Sequence, residues 1–159
     1  MALLVGEIEQ TIDAKHRLAI TLVFRDQIDP KEDGKDFILV VGPDRHLWLY
    51  PDRYYRRLLA TLKRSPLPSR QQRKIDLFFA MARILRPDSQ GRVVLPEKSM
   101  QRAVISDRVT LAGNDDHIEI WPTDEWERRV SEELPTYGEM LYEASDRLAS
   151  ESRQGNQPT

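Results

Sequence analysis

The 159-residue chain has no cysteine. That excludes disulfides and every metal site built on thiolates, and it suits a cytosolic protein. Nor is there an apolar run near the roughly 20 residues that a membrane-spanning helix requires. The opening "MALLVGEIEQ" carries a short apolar patch but neither a basic flank nor a small-residue cleavage site, so no secretion signal is expected. No phosphate-binding glycine loop, HExxH helix or Ser/His/Asp grouping is present either, which removes the common catalytic signatures.

What remains is the composition of a soluble globular protein, 40% apolar and 31% charged. The length fits one domain, or two half-domains sharing a core. The formal net charge is only −2, but it is unevenly spread. Between Arg53 and Arg92 lie eleven Lys/Arg and two acids, Asp76 and Asp88, a net +9. Between Asp115 and Glu151 lie twelve acids and three arginines, a net −9. A basic stretch of this kind attracts polyanions, although solvated helix faces alone would also produce it.

The sequence repeats itself. "DAKHRLAI" (Asp13 to Ile20) and "DSQGRVVL" (Asp88 to Leu95) share Asp-x-x-x-Arg followed by an apolar run, at an offset of 75. "DRHLWLYPDRYY" (Asp44 to Tyr55) matches "DDHIEIWPTDEW" (Asp115 to Trp126) at an offset of 71. The first copy therefore holds four extra residues, which "DPKEDGKD" (Asp29 to Asp36) supplies as a polar loop. Two copies are too few for a solenoid and suit a pseudo-symmetric pair closing on one core.

Each copy has the same order of elements. A strand enters the Asp-x-x-x-Arg turn, "GEIEQTI" in the first copy and "FAMARIL" in the second, and another leaves it, "RLAITL" and "RVVLP". A short helical connection, a hairpin and a helix follow. The first of these helices, "PDRYYRRLLATLKR", places Tyr55, Leu58, Leu59 and Leu62 on one face. The second opens at Thr123 as a cap, with Trp126, Val130 and Leu134 along its face. "RQQRKIDLFFAMARIL" reads as a helix running into the second copy, and "SRQGNQPT" as a disordered tail.

An aspartate opens a turn by accepting backbone N–H groups two residues on. An arginine four positions later can bond the same carboxylate. Such a pair staples a hairpin, and it also orients a guanidinium fork of the kind that grips phosphate or guanine. Further polar groups stand at each tip: Lys15 and His16 in one, Gln90 in the other, with Arg83 and Arg86 just before the second. His16 either faces solvent as an ordinary turn residue or, when protonated, adds a cation to the tip.

Taken together, both turns, "GRVVLP" (Gly91 to Pro96), "VTLAGNDDHIEIWPTDEW" (Val109 to Trp126) and the spacing between them resemble the MraZ family of bacterial transcriptional regulators, relatives of the AbrB and SpoVT DNA-binding domains. The resemblance covers about residues 6 to 150. It implies an α+β fold: a pseudo-symmetric double-split, swapped-hairpin β-barrel of two SpoVT-AbrB-like repeats with packed helices. The repeats would span residues 6–53 and 79–125, with a helical connector over 54–78, C-terminal helices over 126–150 and a disordered tail over 151–159. It further implies a homo-oligomeric ring whose turns face double-stranded DNA at direct repeats in its own promoter. The outcome would be repression of the division and cell-wall gene cluster by a cytoplasmic, nucleoid-associated protein needing no cofactor, metal or membrane. Carried over by position, the DNA-contacting residues are Asp13, Lys15 and Arg17 in the first turn and Asp88, Gln90 and Arg92 in the second. Arg83 and Arg86 are electrostatic candidates. The first copy departs from the family pattern at His16 and Thr21, where the second keeps Gly91 and Pro96.

Two other readings stay open from the residues alone. Asp44/His46 and Asp115/His117 recur as Asp-x-His, half of a metal site in an enzyme. The acidic C-terminal helices would also suit a protein-interaction module that binds no DNA. The aromatic residues Trp48, Tyr50, Trp121 and Trp126 fall far from the charged turns and are expected in the core or between subunits.

Overall fold

The computed structural model describes residues 1–62 and 64–156. Eight strands form, in chain order: β1 (Glu7–Thr11), β2 (Arg17–Ala19), β3 (Phe37–Val41), β4 (Leu47–Pro51), β5 (Arg83–Leu85), β6 (Arg92–Val94), β7 (Arg108–Asn114) and β8 (His117–Pro122). Among the described residues six α-helices accompany them, α1 (Leu22–Arg25), α2 (Asp52–Ala60), α3 (Arg70–Met81), α4 (Glu97–Arg102), α5 (Thr123–Glu133) and α6 (Tyr137–Gln154), with a short 3-10 turn at Leu134–Thr136. The chain divides into two units, Met1–Thr123 and Asp124–Thr159. The first holds every strand.

That first unit is an antiparallel α+β structure, and its topology explains the repeat. Six strands form one sheet in the order β1-β7-β8-β4-β3-β5, and β2 pairs with β6 as a separate two-stranded ribbon. The order reads the same after the two copies are exchanged. The entering strand of each copy bonds the hairpin of the other: β1 lies on β7, and β5 lies on β3. Equivalent strands of the two copies also meet, at two places. At the sheet centre Leu47 opposes Ile120, Trp48 opposes Glu119 and Leu49 opposes Ile118. In the ribbon Leu18 opposes Val93. With offsets of 71 and 75, the pairs Trp48/Glu119 and Leu18/Val93 are equivalent residues facing each other, so the pseudo-twofold axis runs through both. No ladder joins β1 to β5, and the hydrogen bonds do not close the sheet into a barrel.

Burial follows from this arrangement. Leu18, Ile20, Phe24, Leu39, Leu47, Leu49, Val93, Leu95, Leu111, Ile118 and Ile120 are all buried in one cluster. Ribbon, sheet and the short helices α1 and α4 each supply part of it. The alternate residues of β3 and β4, Ile38, Val40 and Tyr50, point the other way and join Tyr55, Trp48 and Phe78 in a second cluster. Period-two alternation thus gives the central sheet two apolar faces, which is why β3 reads as a continuous hydrophobic run.

Several local expectations change. "FAMARIL" is not a strand from Phe79: α3 runs to Met81, and only Arg83–Leu85 is extended. Ala82 breaks the helix at φ −70°, ψ 150°, because β5 has to turn into register with Phe37–Leu39. α2 ends at Ala60, and Leu58 and Leu62 are exposed while Tyr55 is buried and Leu59 packs on the second cluster. The inward stripe of α2 is therefore narrower than the spacing suggested. Thr123 opens α5 and is buried, its hydroxyl 3.2 Å from that of Thr110. Helix α6 reaches Gln154, so chain order persists into the segment expected to be a disordered tail, whose last residues, 157–159, lie outside the described residues. Lys63, counted in the basic stretch, also lies outside them.

Replacing Leu18, fully buried on the pseudo-twofold axis, by alanine should destabilise the protein by about 2–5 kcal/mol. Urea denaturation checks this; a loss below about 1 kcal/mol would mean that the ribbon is not part of the cooperative core.

Candidate nucleic-acid interface

The two Asp-x-x-x-Arg segments form the same turn, bond for bond. In the first, Asp13 Oδ1 accepts the backbone N–H of Lys15 at 2.9 Å and of Arg17 at 2.9 Å, and Oδ2 accepts Arg17 Nε at 2.6 Å. Two main-chain bonds finish it: Asp13 N–H to the Arg17 carbonyl at 3.1 Å and His16 N–H to the Asp13 carbonyl at 2.9 Å. In the second, Asp88 Oδ1 accepts Gln90 N–H at 2.9 Å and Arg92 N–H at 3.0 Å, and Oδ2 accepts Arg92 Nε at 2.9 Å. Asp88 N–H donates to the Arg92 carbonyl at 2.8 Å and Gly91 N–H to the Asp88 carbonyl at 3.0 Å. The backbone N–H of the arginine has the largest influence and lowers the pKa of each aspartate; burial, next in size, opposes it, but the guanidinium and the tip backbone N–H add to the lowering, which prevails. Both carboxylates are thus held ionised by the groups they organise.

Each arginine is engaged through Nε, which leaves its two terminal nitrogens for an external acceptor. The ribbon register then fixes where the two forks stand. Arg17 opposes Val94 and Arg92 opposes Ala19, on either side of the buried Leu18/Val93 pair. Opposed residues share a face, so Arg17 and Arg92 share the outer face of the ribbon as diagonal neighbours, roughly 7–8 Å apart at their backbones. Their side chains remain 30% and 28% exposed, and neither sinks into the protomer. Each turn is also tied to the other copy, since Leu95 N–H donates to the His16 carbonyl and Ile20 N–H to that of Gly91.

The departures at His16 and Thr21 leave this geometry intact. His16 takes φ +61°, close to the +77° of its counterpart Gly91; histidine is among the residues that tolerate the left-handed region. Thr21 has φ −64° where Pro96 has φ −61°, so the fold holds threonine in a proline conformation. Its hydroxyl is buried without a hydrogen-bond partner.

The remaining candidates separate. Lys15 and Gln90 are exposed at the two tips. Arg86 is exposed and reaches Asp36 at 3.5 Å. Arg83 spends Nη1 on the carbonyls of Ala80 and Ala82, both at 2.8 Å, and so caps the end of α3. Arg25 was missed by the sequence reading. It lies in α1, but Nε donates to the Ile20 carbonyl at 2.8 Å and the guanidinium lies across Gly91. No local motif marks it; only the packing of α1 against the other copy's turn does.

The Asp-x-His pairs are structural. His117 Nδ1 lies 2.8 Å from Asp116 and Nε2 2.9 Å from Glu119, and its ring stacks on Trp48 at 4.1 Å. Asp115, the residue that the spacing paired with it, instead bridges the backbone of Leu4. His46 stacks on Trp121 at 3.6 Å. Among the described residues no cluster of three or more His, Asp or Glu is arranged to hold a metal. Glu119 is buried but satisfied, accepting also from Asn114 Nδ2 at 2.7 Å and Trp121 Nε1 at 3.0 Å. Trp48 and Tyr50 belong to this second core, as expected, and Trp121 is buried against His46.

The same turn twice, on a fold that interlocks two copies, matches a known family model, "MraZ protein, putative antitoxin-like", at residues 3–78 and again at 78–137. The chain belongs to the MraZ family. Among curated relatives it is similar to "Transcriptional regulator MraZ" of Herpetosiphon aurantiacus, 37% identical across 77% of this chain and 82% of that one. The protein of the same name from Clostridium tetani is 34% identical across 77% and 84%. That from Carboxydothermus hydrogenoformans is 30% identical across 90% and 97%. The two matches together span residues 3–137, and the family is one of regulators rather than enzymes.

Thr21→Pro should raise stability by about 0.4–1 kcal/mol, because the backbone is already in place, its N–H makes none of the turn or ladder bonds, and the orphaned hydroxyl is removed. An unchanged or lower urea midpoint would contradict this. His117 should make stability fall on the alkaline side. Burial lowers its pKa, but the hydrogen bonds that its ring donates to Glu119 and Asp116 outweigh that and leave it raised above 6.5. Its contribution is therefore complete below pH 6.5 and is lost as pH rises through the folded-state value. Glu119 acts oppositely: burial raises it, but its bonds to His117, Asn114 and Trp121 prevail and hold it at about 2, so its contribution is complete above pH 4.5 and is lost as pH falls from there toward 2. Thermal melts from pH 6 to 9 should show the alkaline decline in the native protein and a smaller one in His117→Gln.

Proposed function

We propose that this chain is a sequence-specific DNA-binding transcriptional regulator that engages double-stranded DNA through its two Asp-x-x-x-Arg turns. The observation that carries the reading is the doubled turn itself: two guanidinium groups oriented by ionised carboxylates and set side by side on an exposed ribbon face. The arginines contact guanine edges or phosphates, Lys15 and Gln90 reach flanking groups from the tips, and Asp13 and Asp88 hold the forks in position. Arg86 adds to the field on the second side. Arg83, occupied at the end of α3, contributes charge rather than a direct contact.

The names of the relatives support regulation, and the resemblance points to repression of the division and cell-wall gene cluster through direct repeats in the protein's own promoter. It also points to a homo-oligomeric ring. Exposed Tyr137, Leu141 and Leu148 on α6 and Leu77 on α3 supply apolar surface for assembly. The interlock of β1 with β7 and β3 with β5 supports the swapped-hairpin reading, with the ribbon lying over the sheet as the second wall of a double-split barrel. Such a protein works in the cytoplasm at the nucleoid, and no helix among the described residues is long and apolar enough to cross a membrane.

Fluorescence anisotropy with the upstream promoter duplex and a shuffled duplex, at two salt concentrations, tests this. Tight binding to the promoter alone at the higher salt is expected. Equal binding to both at low salt and none at high salt would reduce the activity to polyanion attraction. Arg17→Ala and Arg92→Ala should each cost about 1–3 kcal/mol against the promoter, and less against the shuffled duplex, if they read bases.

A further inference from the structure

The two turns share a skeleton but have different flanks. Beside the first is a groove of about 600 Å³ lined by Asp13, His16, Met100, Ser106 and Asp107. Beside the second is one of about 410 Å³ lined by Arg25, Lys35, Asp36, Phe37, Asp88 and Gly91. Met100 occupies in the second copy the place of Arg25 in the first, 75 residues apart, and it is buried where Arg25 is exposed. The first groove adds a thioether and an acid, Asp107, to its turn; the second adds two cations, Arg25 and Lys35, and an acid, Asp36.

In the second groove both carboxylates already have arginine partners. Asp88 holds Arg92 at 2.9 Å, and Asp36 lies 3.5 Å from Arg86. The positive charge of Arg25 is not neutralised this way. Among the described residues its hydrogen bond runs from Nε to the Ile20 carbonyl, a neutral acceptor. This bond anchors the guanidinium while its terminal nitrogens remain available. Its plane rests on Gly91: a Cβ built there would fall 2.6 Å from Cζ and 2.7 Å from Nε. The glycine therefore serves a second purpose besides its positive φ, which His16 shows to be within reach of other residues. It is the flat seat that brings a third guanidinium to the turn.

We propose that Arg25 is a further DNA-contacting residue, donating to a backbone phosphate beside the bases that Arg92 engages, with Lys35 reinforcing the field of that groove. This rests on the reading that the turns face DNA. The two halves of the protein then grip the duplex unequally: the second turn is anchored by phosphate contact, whereas the first depends on Arg17 and its tip residues.

The test is a salt series of promoter binding by anisotropy for native protein, Arg25→Ala, Arg25→Lys and Arg92→Ala, with thermal melts confirming that each variant folds. Loss of one phosphate contact should reduce the slope of log K against log[salt] by about 0.9. Arg25→Ala should show that reduction and bind about tenfold more weakly to promoter and shuffled duplexes alike, while Arg25→Lys, which keeps the cation, should restore most of the slope. If Arg25 only staples the Ile20 carbonyl, affinity falls in Arg25→Ala while the slope stays native; that result, or no change at all, overturns the proposal. Gly91→Ala displaces the guanidinium from its seat and should lower the slope as well, while a slope equal to the native one would also count against the inference. Native protein that fails to distinguish promoter from shuffled duplex would instead sink the underlying reading, and Arg92→Ala sets the scale of a turn contact.

Discussion

One carboxylate oxygen pair does most of the organising in each copy. A single aspartate accepts two backbone N–H groups on one oxygen and an arginine Nε on the other. The first function closes the turn, and the second aims the arginine; neither can be lost without the other. A lysine in place of the arginine would keep the charge but lose the planar fork whose inner edge binds the aspartate and whose outer edge faces away. Ribbon entry, strand register and the outward display of charge all follow from this closure, because β2 and β6 begin at the arginines themselves.

The sheet explains why two such turns lie close together. Each copy gives its entering strand to the other's hairpin, so neither half has a complete sheet alone. Exchange of strands couples the halves through backbone hydrogen bonds, which tolerate sequence divergence between the copies far better than side-chain packing does. Trp48 can therefore face Glu119 across the axis without upsetting the ladder. The cost of burying Glu119 is offset locally, by His117, Asn114 and Trp121. Symmetry of the backbone coexists with asymmetry of the chemistry, at the axis as at the turn flanks.

Much of this was legible in the residues because it is local or periodic. The two turns, the hairpins, the four-residue excess in the first copy and the aromatic core all depend on neighbours in sequence or on alternation along a strand. Tolerance of His16 in a left-handed conformation was also foreseeable from residue chemistry. Boundaries that depend on pairing were not legible. "FAMARIL" has no intrinsic reason to switch at Ala82; the register of β5 on β3 imposes the switch. Leu58 and Leu62 match a helical stripe, yet the surface that α2 covers reaches only Tyr55 and Leu59.

The sequence by itself determined the repeat, the paired charges and the turn chemistry, since an aspartate and an arginine four apart need only their own backbone to meet. Only the tertiary structure decided that Arg17 and Arg92 share a face and that Arg25 lies on Gly91. These relations join residues separated by as many as 75 positions. They follow from strand register and from helix packing across the pseudo-twofold axis, and no local pattern in the chain encodes either.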